Sequence, residues 1–241
     1  MNRRHFLTST LAGAAALGSA PFALAQNPAP ASATKSSPAP GTEPQRPAPF
    51  EAALVKEFVG AGHRNIPRVK EMLAVNPALI NACWDWGAGD FETALGGASH
   101  IGHRPMALLL LESGARMDAF CAAMLGETEI VAALLRLSPA CANTRGPHGY
   151  SMLYHAGYSG KLAIAEAIGP HLKERARDCN QALQTASLAG HIEFVAWLLK
   201  NGVDNPNTKN FQGKTPLDLA IEREHGAIIP LLQTAGGVPG R

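Results

Sequence analysis

Tyr150, Tyr154 and Tyr158 recur every four residues and are all the tyrosine this chain has. On a helix that spacing sets them along one side. Aromatic rings are enriched at binding hot spots because they bring large area at small entropic cost, although such a stripe also suits a core. His100 and His103 stand three apart, close enough on a helix to share a metal ion. The stretch Trp84-Asp85-Trp86-Gly87-Ala88-Gly89-Asp90-Phe91-Glu92 places two tryptophans in a Gly-rich turn. Those rings either cover a neighbouring core or offer a binding surface. Arg145-Gly146-Pro147-His148-Gly149 is a turn by composition.

Other chemistry has no recognisable spacing in the chain. It has no Gly-rich phosphate loop, no zinc-ligand cysteine spacing and no G-x-S-x-G elbow. No nucleophile–base pair or metal cluster emerges, so no catalytic residue, no metal and no cofactor is assigned. The chain is read as a non-enzyme. Cys83, Cys121, Cys141 and Cys179 are scattered. An even number permits disulfides in an oxidising compartment, whereas Cys121 falls in an apolar helix, where a free thiol behaves as a small apolar residue.

The elements that position these residues begin after residue 49. Residues 1–25 read as an export signal: Arg3-Arg4 before Phe6-Leu7, a weakly apolar run to Leu24, and the small-x-small pattern Ala23-Leu24-Ala25 that a signal peptidase cuts after. The paired arginines resemble the twin-arginine export signal of bacteria. Residues 26–49 carry seven prolines among Ala, Ser and Thr, and form a disordered linker by composition. The expected location is therefore the periplasm, with no membrane attachment once the signal is cleaved after Ala25.

Of the 21 Lys+Arg and 19 Asp+Glu, Arg3, Arg4, Lys35, Arg46 and Glu43 precede residue 50, leaving 17 against 18. The densest basic cluster, Lys173, Arg175 and Arg177, is interrupted by Glu174. A near-neutral domain without a basic run excludes a nucleic-acid groove.

Residues 50–241 read as one unit repeated with errors. In the last copy Thr215 suits a helix N-cap and Pro216 the first helical position. Leu217 and Ala220 share a face, and a second apolar helix ends at Leu231-Leu232 before a double glycine. A pair this short cannot bury its own apolar face, but stacked copies bury one another's. Corresponding alanines at 98, 122, 156, 186 and 220 are separated by 24, 34, 30 and 34 residues.

Thr215-Pro216-Leu217-Asp218-Leu219-Ala220 resembles the ankyrin repeat signature T-P-L-H-x-A, with its period of about 33. The resemblance implies an all-α ankyrin-repeat solenoid of about six helix-turn-helix units with short β-hairpin fingers. The step of 24 predicts a missing finger between the second and third units. Gly102-His103 and Gly190-His191 match the family's Gly-His between paired helices, which makes those histidines structural. His100 falls instead where a first helix ends on the concave side, and forms a polar cluster with Asp90 and Glu92 of the preceding finger.

Matching each unit to the family pattern places Asp90, Glu92, His100, Met124, Tyr150, Tyr154 and Tyr158 on the concave face. Trp84, Trp86 and His148 fall in finger loops. Leu153 and Ala156 take the inner positions, which sets the tyrosines off the core with their hydroxyls toward the groove. The implied function is a monomeric, non-catalytic scaffold that holds an unidentified periplasmic protein on that face. The alternative is an accessory subunit or protector of a periplasmic redox enzyme.

Overall fold

The computed structural model describes residues 47–240. The export signal read at 1–25, and the linker up to residue 46, lie outside the described residues. Among those described, twelve α-helices come in six antiparallel pairs. They are α1 (Ala52–Ala61) with α2 (Ile66–Val75), α3 (Ala94–His100) with α4 (Arg104–Glu112), and α5 (Ala119–Leu125) with α6 (Thr128–Leu137). Next are α7 (Met152–Ser159) with α8 (Leu162–Ile168), α9 (Arg175–Ala189) with α10 (Ile192–Asn201), and α11 (Pro216–Glu222) with α12 (Ile229–Thr234). No helix among them is long and apolar enough to cross a membrane.

Local chemistry sets where the first helix of most units starts. Thr93, Asp118, Ser151 and Thr215 each accept an amide from the first turn of α3, α5, α7 and α11. Thr215 and Asp218 complete a reciprocal capping box. The turns to the second helices need glycine, and two of them show why. Gly160 and Gly190 take left-handed φ of 64° and 86°, and a Cβ on either would collide with the imidazoles of His191 and His225.

Stacking then buries what no pair could bury alone. All five repeating alanines, Ala98, Ala122, Ala156, Ala186 and Ala220, are fully buried, as are Leu95, Leu110, Leu153, Leu183 and Leu198 or nearly so. Each large side chain of this kind contributes about 1.5–3 kcal/mol. The core divides into two clusters, one from the first three units and one from the third to the sixth. Helix α5 serves both, giving Cys121 and Met124 to the first and Ala122 and Ala123 to the second. Met124, expected on the groove face, is thus a core residue at 3% exposure. Its neighbours along α5 turn that side of the helix into the seam between clusters.

The connections between units differ. Strand β1 (Cys83–Asp85) pairs antiparallel with β2 (Phe91–Thr93), setting Trp84 opposite Glu92. A second finger closes through an Arg145–Ser151 bridge and a bond from the Gly146 amide to the Tyr150 carbonyl. Between α4 and α5 the chain crosses in residues 113–118 with no strand, the gap that the short step predicts. A second gap was not legible in the spacing. Between α8 and α9 there is only a short 3-10 turn, because α9 begins early and its first turns occupy the place of a finger. The four cysteines are free thiols, with Cys121 and Cys179 buried.

Candidate functional site

Two glycines in the seven-residue α3 cost roughly 1 kcal/mol each relative to alanine. Their positions explain them. A Cβ on Gly97 would lie 2.9 Å from the His63 imidazole, and one on Gly96 would lie 3.3 Å from Pro147 of the second finger. The missing side chains let the α1–α2 turn and the second finger close over α3. His63 comes in from that turn, Glu92 from β2, His100 from the last turn of α3, and His148 from the second finger.

These four side chains converge. Each can offer one ligand-type atom, and those atoms all lie within 4.8 Å of one another. His100 Nδ1 is 2.9 Å from Glu92 Oε1, His63 Nε2 is 3.5 Å from Glu92 Oε2, and His148 Nε2 is 3.7 Å from Glu92 Oε1. Glu92 is 1% exposed and His100 7%. Although close, Glu92 Oε1 and His100 Nδ1 are misaligned for a hydrogen bond with each other and have no other partner.

The surrounding groups fix the orientation of this set. Trp86 donates its indole N–H to Glu92 Oε2 at 2.7 Å. Asp90 holds His148 at two points, accepting from its amide and from Nδ1, both at 2.8 Å. His63 Nδ1 lies 3.2 Å from the Gly60 carbonyl. Burial opposes ionisation of Glu92, but the facing imidazoles of His100 and His63 and the Trp86 N–H outweigh it, leaving the carboxyl below its ordinary range. Burial also pushes the His63 imidazole down, against the field of Glu92.

Beside this cluster a groove of about 600 Å³ runs past Tyr150, Tyr154 and Tyr158 to the last units, with His100 and His148 in its wall. Tyr150 stacks on Tyr154, with centroids 4.0 Å apart and planes at 9°. The hydroxyls of Tyr154 and Tyr158 both donate to the His100 carbonyl at 3.1 Å, satisfying an acceptor at the end of α3. Burial raises both phenols above the ordinary range, Tyr158 to about 12. The tyrosines do line the groove, but Tyr154 is only 7% exposed, so it is part of the wall and not a free contact. At the far end Phe211 is 86% exposed in the loop before α11.

The sequence reading groups Asp90, Glu92 and His100 and puts His148 in a separate finger loop; the structure brings His148 to that group. It treated Glu92 and His100 as surface contacts, whereas both are buried behind Trp86 and the second finger. Trp86 is tied to Glu92, and Trp84 is half-buried with the Lys56 ammonium 5.7 Å from its ring centre. His63 was missed. Its only signal was Gly62-His63, the same dipeptide as at 102–103 and 190–191. Those other histidines are structural: His103 Nδ1 accepts the Met106 amide, and His191 Nε2 bonds the Tyr158 carbonyl.

Residues 168–238 match the family model for ankyrin repeats, described as three copies. Residues 168–238 carry ankyrin repeats. With the six helix pairs, this makes the fold an all-α ankyrin-repeat solenoid, and such repeats indicate a protein–protein interaction domain. The chain is 32% identical over 84 residues to the liver isoform of mitochondrial glutaminase from Mus musculus and 31% to that from Rattus norvegicus. It is 38% identical over 64 residues to the transient receptor potential channel pyrexia of Drosophila melanogaster. These alignments take in 34%, 34% and 27% of this chain but only 14%, 14% and 7% of those proteins.

Proposed function

We propose that this protein is a non-catalytic periplasmic scaffold, acting as a monomer, that holds a protein partner in the groove between its finger loops and first helices. The observation that carries this reading is the groove itself. It is open, floored by a tyrosine stack, and has Phe211 almost fully exposed at one end and Arg64 and Arg223 along its sides. Aromatic and arginine side chains around a preformed trough are the composition of interface hot spots. The repeats belong to a generally non-enzymatic class of interaction domain, which also supports the reading. The periplasmic part of the proposal rests on the twin-arginine-like signal at 1–25.

The test is capture of a partner from periplasmic extract by the purified protein, compared with a Tyr150→Ala, Phe211→Ala, Arg223→Ala triple variant. Capture should be lost while the variant stays folded with only a small fall in melting temperature, because none of the three is a core residue and Tyr150→Ala gives up a stack at the groove wall. A partner retained in full by the triple variant would show that the groove is the wrong face. Export is checked separately by replacing Arg3-Arg4 with Lys-Lys, which should strand the protein in the cytoplasm.

A further inference from the structure

The convergence of His63, Glu92, His100 and His148 is independent of the partner reading, and its geometry points to a site for one divalent first-row transition ion of the Zn²⁺ class, bound by three imidazoles and one carboxylate. Imidazole and carboxylate suit such ions. Bonds of about 2.0–2.1 Å in a tetrahedron put ligand atoms roughly 3.3 Å apart. The observed separations of 2.9, 3.5 and 3.7 Å from the Glu92 oxygens bracket that value. The remaining separations are no more than 4.8 Å, and His63 and His148, whose side chains are partly exposed, are the ligands with room to close them.

Three further features distinguish the cluster from an ordinary ion-pair network. First, the two innermost groups, both buried, turn a carboxylate oxygen and a ring nitrogen 2.9 Å apart toward a common space. Neither makes an aligned hydrogen bond, and the imidazoles of His63 and His148 face the same carboxylate, so four donor groups converge where one ion could satisfy them.

Second, the outer nitrogens are occupied in the manner of metal-binding histidines. His148 Nδ1 donates to the Asp90 carboxylate and His63 Nδ1 to a backbone carbonyl, which leaves Nε2 of each as the bare, ion-facing nitrogen. Metal ligands are typically held by such outer partners, and Trp86 does the same for Glu92.

Third, the approach is paid for in helix stability, since Gly96 and Gly97 remove the side chains that would keep His63 and the second finger away. The site opens on the groove through His148, whose side chain is 36% exposed, so an ion has a path from solvent. A divalent ion there would join the first unit, the first finger and the second finger around α3.

The test uses the full chain purified without a polyhistidine tag, stripped with chelator and titrated with Zn²⁺ by calorimetry. A parallel titration with Co²⁺ is followed by visible absorption. Saturable uptake of one ion per chain is expected, with the intense visible bands of tetrahedral cobalt. His148→Ala should weaken Zn²⁺ binding more than ~100-fold, and Asp90→Asn, which removes only the outer partner, by ~10-fold to 100-fold. His171→Ala, an exposed histidine outside the cluster, should leave affinity unchanged. If His148→Ala folds poorly by circular dichroism, Asp90→Asn carries the comparison alone. No saturable uptake, or equal losses in the site variants and His171→Ala, would overturn the assignment.

Discussion

The two ends of the stack bury polar groups for different purposes. In units four to six several such groups join one unit to the next, while His155 Nε2, Asp178 Oδ2, Gln181 Oε1 and Ser187 Oγ have no hydrogen-bond partner. Thr185 Oγ donates to the Tyr154 carbonyl at 2.7 Å, and Nε2 of His191 and of His225 bonds the carbonyls of Tyr158 and Leu188 in the preceding unit. Ser151 and Thr215 are caps, and Asp178 is paired with Arg145. In the first two units Glu92 and His100 instead meet His63 and His148 at one point, with Glu92 Oε1 and His100 Nδ1 facing each other 2.9 Å apart. Polar groups that bridge successive units propagate a stack. Groups that converge from separate elements make a place.

The contrast can be tested by weakening each end separately. The largest effect belongs to the apolar contacts of the later units. Phe194 is fully buried, and Phe194→Ala should cost about 4 kcal/mol in urea unfolding. A loss below ~1 kcal/mol would mean that this end is not held by its core.

Next comes acid. Burial pushes the imidazole of His155 down from 6.5 to about 4. The unfolded chain therefore takes up a proton there, between pH 6.5 and 4, that the folded chain refuses. The stability contributed is complete above pH 6.5 and is lost as pH falls through that window, by about 3 kcal/mol. Denaturation curves at pH 7 and 4.5 should show the loss, and His155→Gln should flatten it.

Trp86→Phe keeps most of the ring and removes the N–H that Glu92 accepts, for a loss of about 1.5 kcal/mol. If the cluster binds an ion, saturating Zn²⁺ should raise the melting temperature of this variant and of the unaltered chain alike. Smallest is Thr185→Val, which removes one bridge between units at nearly constant shape, for about 1 kcal/mol. Zn²⁺ should not alter that difference, because the bridge lies outside the cluster.

Much of the architecture could be read directly. Thr215-Pro216, the Gly-His turns and the alanines spaced near 33 residues act through neighbours three or four positions away or through an identical next unit. Their roles are therefore printed in local order. The step of 24 announced the absent finger between α4 and α5. The step of 30 did not announce the other, because α9 regained in helix what it lost in loop. Spacing and the family pattern, which gives the inner positions to Leu153 and Ala156, put Tyr154 in the groove, but its burial depends on the stacking of Tyr150 and on the position of His100, which neither encodes.

By itself the sequence determined a stack of helical pairs, which residues face the neighbouring pair, and where helices start and stop, because those follow from periodicity and short-range capping. Only the tertiary structure decided that His63, Glu92, His100 and His148 meet. They come from four elements and span 85 positions, so no helical or strand period links them. What brings them together is the closing of a turn and a finger over the two glycines of α3, a packing event between segments distant in the chain.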